Sequence, residues 1–251
     1  MEYITSSDFH FKDTAVALGK FEGIHRGHQL LMDEVKKQEL HGLRSVVFTF
    51  DRPTRLTLTG DTEYKQIYTK KERREILEKR GIDILIEHPF TKEFAALTPD
   101  RFIREVLVEK VGAKVIVVGT DFHFGKNRSG SITDLEKLEE ECGYHLIVVE
   151  KLQLNGKDIS STRIRASLEK GAMEEAKALL GRNYSVSGEI LHGNALGRTI
   201  QVPTINQQVP SFKLLPPNGV YVSKIHWKDD QHRNQANRQQ YQRKNSRDQY
   251  L

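Results

Sequence analysis

The sequence predicts an α/β domain built on a parallel sheet, followed by a smaller β module. Two observations carry this. Short, continuous apolar runs alternate with amphipathic helical segments through the first two-thirds of the chain, the pattern of a sheet covered on both faces. Near Gly181 that pattern gives way to β-like alternation and turns rich in Gly and Pro.

Taken in order, residues 14–19 (Thr-Ala-Val-Ala-Leu-Gly) form a buried strand that ends on glycine. Residues 28–40 read as a helix, with Leu30, Leu31, Val35 and Leu40 near one face. Residues 45–50 are β-branched and aromatic and read as a strand. Residues 69–80 are a charged helix for which Thr69 is the expected N-cap. A strand at 82–87 follows, then a helix from Thr98 to about residue 111 with Pro99 in its first turn. Strands at 114–119 and 144–150 flank a helix at 132–142, and helices at 161–169 and 173–180 complete the domain. In such sheets ligands bind beyond the carboxyl ends of the strands. The segments after Gly19, Phe50, Gly119 and Glu150 are therefore the places to search.

Past a boundary at 181–184, residues 183–191 alternate, Gly193 to Gly197 is glycine-rich, three prolines fall between 209 and 217, and Gly219-Val-Tyr-Val reads as a strand. Residues 226–251 are rich in Gln, Asn, Arg and Asp. They hold too little apolar surface to offset the entropy of ordering, so a disordered tail is expected.

The chain has 251 residues and a net charge of +5. The last 26 residues carry six Lys/Arg and three Asp, hence +3, which leaves +2 for the rest. The basicity is therefore no nucleic-acid footprint, and no nucleic-acid partner is expected. Cys142 is the one cysteine, which excludes an internal disulfide and a Cys-based zinc site. Neither a leader peptide nor a membrane-spanning run is visible. The expected location is the cytoplasm, with no membrane partner.

Three constellations carry chemistry. Gly19-Lys-Phe-Glu-Gly-Ile-His-Arg-Gly-His28 joins a strand to a helix. Glycines allow close approach of a phosphate, and the helix N-terminus adds free N–H groups and partial positive charge. His25 and His28, flanking Arg26 and Gly27, can point at one phosphate. Read alone, His-x-Gly-His is as well a surface turn with two solvated histidines; its place after a buried strand favours a site. Ile159-Ser-Ser-Thr-Arg-Ile-Arg165 enters a helix. Its hydroxyls can cap N–H groups or bind phosphate oxygens, and Arg163 and Arg165 can neutralise phosphates. By itself it is equally a plain N-cap on a solvated helix. Gly119-Thr-Asp-Phe-His-Phe-Gly125 offers aromatic faces and a carboxylate to a planar ring, or is a turn with buried aromatics.

The stretch ALGKFEGIHRGHQLLM resembles the first signature of the Rossmann-like nucleotidyltransferases. Within that superfamily it is similar to the bacterial bifunctional riboflavin kinase/FMN adenylyltransferase (FAD synthetase) family. VVFTFD, LTPDRFIREVLVEKVGAKVIVVGTDFHFGKNRSG and ISSTRIR extend the resemblance, which covers roughly residues 14–225. It implies a Rossmann-like nucleotidyltransferase domain over 1–182 that makes FAD from FMN and ATP with Mg²⁺. It implies His25 and His28 as catalytic residues. Gly19, Phe21, Gly27, Ser160, Ser161, Thr162 and Arg165 would bind ATP; Asp121, Phe122 and Gly125 would bind FMN. Arg163 stands at a variable place in the pattern. Glu22 and Ile24 replace the usual Asp and Val, and Arg52-Pro53 follows Asp51 where the family usually has Pro-His-Pro, which puts ATP or FMN affinity in question.

GEILHGNALGRT (188–199), VPTIN (202–206) and LLPPNGVY resemble the family's riboflavin kinase barrel. That implies a partial barrel over 183–225, with Thr204 and Asn206 near the transferred phosphoryl and Thr204 on Mg²⁺. The glutamate that serves the family as base is not found after Ile225, and the tail at 226–251 looks unlike a barrel strand. Impaired riboflavin phosphorylation is therefore expected. Two other readings stand beside the first: an adenylyltransferase for nicotinate mononucleotide or phosphopantetheine, and a degenerate flavin-binding or regulatory protein.

Overall fold

A computed structural model describes residues 1–54, 57, 60, 63–191 and 205–226, together with the backbone of 249–250. Two compact units, Met1–Leu215 and Pro216–Leu251, divide the chain.

The first unit is built on a six-stranded parallel sheet: β1 (Glu2–Ile4), β2 (Thr14–Leu18), β3 (Arg44–Phe50), β4 (Ile84–His88), β5 (Ala113–Gly119) and β6 (His145–Val149), in the spatial order β1-β4-β3-β2-β5-β6. The helices between them are α1 (Arg26–Lys37), α2 (Lys70–Lys79), α3 (Lys92–Ala95), α4 (Pro99–Arg101, continued as a π-helix over Phe102–Lys110) and α5 (Ile132–Cys142). After β6 come a hairpin of β7 (Gln153–Leu154) and β8 (Lys157–Asp158), then α6 (Ser161–Glu169), α7 (Met173–Leu180) and an antiparallel pair of β9 (Glu189–Leu191) and β10 (Asn206–Gln208).

Residue alternation along the strands dictates the layering. Val16, Leu18, Val46, Phe48, Ile84, Ile86, Ile116 and Val118 point to one face and pack on Phe102, Ile103 and Leu107 of α4 and Leu135 of α5. Ala15, Ala17, Val47, Leu85, Val115 and Val117 point to the other and pack on Leu31, Met32 and Val35 of α1 and Leu77 of α2. A third cluster gathers Ile164, Leu168, Leu179 and Leu180 of α6 and α7 with Ile67, Tyr68 and Leu214. The chain moves from β2 through β3 to β4 on one side, then crosses to β5 on the other side of β2. The crevice at the carboxyl ends of β2 and β5 is thus the switch point where such sheets bind ligands.

Several boundaries differ from the sequence reading. Helix α1 begins at Arg26, before the expected residue 28, because the imidazole of His25 caps it by accepting from His28 N at 3.3 Å. It ends at Lys37, so Leu40 falls in a following 3-10 turn and is 89% exposed rather than on the buried face. Thr69 does cap α2, in a capping box with Glu72. Strand β1 was too short and polar to predict. The β7–β8 turn, Asn155-Gly156, has φ of 55° and 68°, the backbone that an Asn-Gly hairpin turn demands.

Of the predicted strand at 183–191 only Glu189–Leu191 forms. Residues 184–187 instead run as irregular chain against the first domain. Tyr184 Oη donates to Ile67 O at 2.9 Å, and Ser187 N and Oγ donate to Glu72 Oε1 at 2.8 and 2.7 Å. Lys213 joins them: its buried ammonium donates to Glu72 Oε2 at 2.6 Å, Ile67 O at 2.7 Å and Ser185 O at 3.0 Å. These contacts tie residues 184–187 and Lys213 to the unit that holds the sheet. In the second unit, Val222–Ser223 (β11) pairs antiparallel with Gln249–Tyr250 (β12).

Candidate active site

The loop from Gly19 to His25 leaves β2 and delivers two imidazoles to the N-terminus of α1. The rings of His25 and His28 stack 3.6 Å apart at 17°. Phe21 lies beside them with its ring edge-on to His28, 5.1 Å away. A Cβ on Gly19 would stand 3.0 Å from that Phe21 ring, so glycine is required for the ring to tuck in. Gly27 likewise faces the His25 ring, at 3.3 Å. Phe21 itself is fully buried. Its side chain packs against His28, so a contact from Phe21 to ATP is expected through its backbone.

Burial, with the charge of Arg182 adding to it, pushes His25 down to about 4; Asp121 acts in the opposite direction. Burial also holds His28 well below the usual imidazole range, reinforced by His25 and Arg182. Both rings are therefore neutral at pH 7. Nδ1 of His28 is buried with no hydrogen-bond partner among the described residues.

The second motif lies at the start of α6. Ser160 is its N-cap, with the hydroxyl accepting from Arg163 N at 3.3 Å. Ser161 and Thr162 occupy the first turn, where N–H groups are free of intrahelical partners. Two contacts bring this helix to the histidine loop. Arg165 donates to Glu22 in a half-buried ion pair, and Gly23 packs on Ile164. Tyr64 completes the group: its hydroxyl donates to Glu22 Oε2 at 2.8 Å, and the Arg165 guanidinium lies 4.1 Å from its ring centre. Arg163 turns away. It pairs with Glu175 at 2.9 Å and donates to the carbonyls of Leu154 and Lys157, fastening the β7–β8 hairpin.

The third motif follows β5. Asp121 is mostly exposed and pairs with Lys151 at 3.2 Å, and its charge acts on His25. Phe122 stacks on Phe124 at 5.5 Å, and Phe124 leans on Phe102 of the core. Gly125 has φ 71°, and a Cβ there would stand 3.1 Å from the ring and nitrogen of Pro99. It shapes the loop and offers a ligand no side chain. Beyond it, Arg128 approaches Lys20. Burial, then the Arg128 charge, lowers the Lys20 ammonium.

A crevice beside this site is lined by Lys20, Glu22, Thr49, Arg52, Tyr64 and Tyr68. Arg52 pairs with Asp51 at 3.1 Å. Asn206 begins β10, opposite Leu191; Thr204 lies outside the described residues. Among the described residues no group of three or more His, Cys, Asp or Glu stands together as a metal cage, and no helix is long and apolar enough to cross a membrane. Lys20, Tyr64 and Arg182 were not read as site residues. Single charged or aromatic residues in polar loops give no periodic signal, and Arg182 sits where the sequence marked only a boundary.

The FAD synthetase family matches residues 8–163, and the riboflavin kinase family matches residues 180–248. The second match includes most of the polar tail, which the residues alone had set apart from any barrel strand. A bifunctional riboflavin kinase/FMN adenylyltransferase of Buchnera aphidicola subsp. Schizaphis graminum is 33% identical over 216 residues, covering 85% of this chain and 69% of the relative. One of the same description from Listeria monocytogenes is 33% identical over 231 residues, covering 91% and 73%. A solved structure from Streptococcus pneumoniae, described as a macrolide-efflux protein, is similar with a TM-score of 0.79 and 32% identity, over 88% of this chain and 74% of that one.

Proposed function

Because the chain belongs to the bifunctional riboflavin kinase/FMN adenylyltransferase family, we propose that it transfers the adenylyl group of ATP to FMN, giving FAD and pyrophosphate. The observation that carries this reading is the stacked pair His25–His28 at one helix N-terminus, joined to a second helix N-terminus through Glu22 and Arg165. An FMN phosphate oxygen forms the new bond to the α-phosphorus while the bond to the β-phosphate bridging oxygen breaks. No covalent enzyme intermediate is needed. The site has to hold the two phosphates in line and stabilise the charge that builds on them.

Neutral imidazoles serve this as N–H donors. Approach of the triphosphate favours their protonated form. In this reading Ser160, Ser161, Thr162 and Arg165 hold the departing pyrophosphate, while the backbone of Gly19 and Gly27 and the loop carrying Asp121, Phe122 and Gly125 position the nucleotides. Mg²⁺ prefers to keep several waters and bind through phosphate oxygens and one or two carboxylates, so in this reading the cation arrives on ATP.

We further propose that riboflavin phosphorylation by these 251 residues is weak. Within these residues no glutamate follows Glu189, and the carboxylates found there are Asp229, Asp230 and Asp248. In this reading residues 1–182 form the transferase, 183–225 the kinase-like module with Thr204 and Asn206, and 226–251 a tail. The change of family match between 163 and 180 supports the division. An acceptor panel tests the main reading. With ATP and Mg²⁺, FMN should yield FAD, while nicotinate mononucleotide and phosphopantetheine should yield nothing. A dinucleotide from another acceptor, or flavin bound without turnover, would refute it.

A further inference from the structure

Arg182 lies outside all three motifs, two residues past the end of α7, yet its guanidinium reaches into the histidine loop. Nη1 donates to Ile24 O at 2.8 Å and Leu180 O at 3.2 Å, and Nη2 donates to Gly23 O at 2.9 Å. Gln29 bridges the same places, with Nε2 donating to Ile24 O at 3.0 Å and Leu180 O at 2.8 Å. The carbonyls so held belong to the two residues immediately before His25.

That loop needs holding. Ile24 is fully buried and β-branched, yet its φ is 41°; Phe21 has φ 45°. Bulky residues rarely adopt this left-handed region, and they persist there only where the surroundings over-determine them. A planar guanidinium can bridge successive carbonyls in a fixed geometry, which a lysine ammonium cannot reproduce.

We propose that Arg182 is a positioning residue for adenylyl transfer: by clamping the carbonyls of Gly23 and Ile24 to the end of α7, it holds the strained loop that aims His25 and His28. This rests on the adenylyltransferase reading. Residue 182 lies past the end of the FAD synthetase match at 163 and inside the riboflavin kinase match that begins at 180. The histidine loop is therefore held by a residue that lies beyond the stretch matched to the FAD synthetase family. The Arg182 charge also bears on both imidazoles, consistent with its closeness to them.

The test uses the full chain carrying Arg182→Met or Arg182→Lys, with FAD formation measured over ranges of ATP and FMN. Arg182→Met should lower kcat at least 30-fold while both KM values stay within threefold. Arg182→Lys, which keeps the charge but loses the fork, should recover less than a tenth of the lost rate. Added guanidinium ion should raise kcat of Arg182→Met several-fold and leave the unmodified chain unchanged. In ¹⁵N-histidine spectra, the His25 and His28 ring resonances should move in Arg182→Lys.

A kcat within threefold of the unmodified chain in either variant would overturn the clamp. If Arg182→Met does not fold, Arg182→Lys decides by the same criteria at an unchanged urea midpoint. If the unmodified chain makes no FAD, the adenylyltransferase reading fails on its own. The histidine spectra then judge the clamp, and unmoved ring resonances in Arg182→Lys would overturn it.

Discussion

Glu22 accepts a hydrogen bond from the guanidinium of Arg165, 143 positions later in the chain, with less than a fifth of either side chain exposed. This pair joins the histidine loop to the start of α6. It also means that an arginine expected to bind phosphate is held by a carboxylate before ATP arrives. Arg165→Ala should raise KM for ATP at least tenfold. It should also cost about 1–3 kcal/mol of stability, because Glu22 loses a charge-assisted bond in a poorly solvated place. Initial-rate kinetics and urea unfolding of the same preparation check both; an unchanged KM would remove Arg165 from the ATP site.

The two neutral histidines make stability depend on pH. For His25 the folded pKa, about 4, lies below that of an unfolded histidine. Between about pH 4 and 6.5 the unfolded chain therefore binds more protons, and stability rises with pH across that window. It is fully present above pH 6.5 and is lost as pH falls toward 4. His28 acts in the same direction. Urea midpoints measured from pH 4.5 to 7.5 should climb, and His25→Gln should flatten the climb. An equal slope in the variant would show that His25 is not buried and neutral.

Lys213 and Glu72 form a buried ion pair between the rings of Tyr68 and Tyr184. Burial pushes the Lys213 ammonium down to about 8. Lys213→Met should cost about 3–5 kcal/mol, since Glu72 is left as a buried charge without its counter-ion. Adding Glu72→Gln should restore part of that loss. Chemical denaturation of the two single variants and the double variant measures the non-additivity, and strictly additive losses would contradict a direct pair.

Gly125 combines a left-handed backbone with contact on Pro99. Gly125→Ala should cost about 1–3 kcal/mol and displace the loop that carries Asp121 and Phe122. KM for FMN should then rise severalfold while KM for ATP changes little. Equal effects on both substrates would place the loop elsewhere in the mechanism.

How much of this was legible in the sequence depended on whether the signal was periodic. The strands after Asp13, Leu43 and Gly112 are apolar on both faces, so their runs are continuous and were read within a residue or two. Thr69 and Ser160 announced their helices because caps use a few residue types for a stated reason. His25 and His28 were found through their setting. What could not be read was the pairing of single residues across the chain. Glu22 with Arg165, Arg182 with Ile24, and Lys213 with Glu72 each depend on a tertiary approach that no local pattern encodes. Phe21 looked like a ligand contact because its motif is short. Only the packing of its ring under His28 shows that its side chain faces inward.

The most direct measurement follows the α-phosphorus. ATP labelled at the α-phosphate, Mg²⁺ and FMN are incubated with the full chain and with its His28→Ala variant, and the products are separated. Label should appear in FAD with the unmodified chain, and kcat should fall about 10²- to 10³-fold in the variant, the loss typical of removing one donor aimed at developing charge. Flavin binding with no labelled FAD, or equal labelling by the two proteins, would contradict the assignment of the stacked histidines to adenylyl transfer.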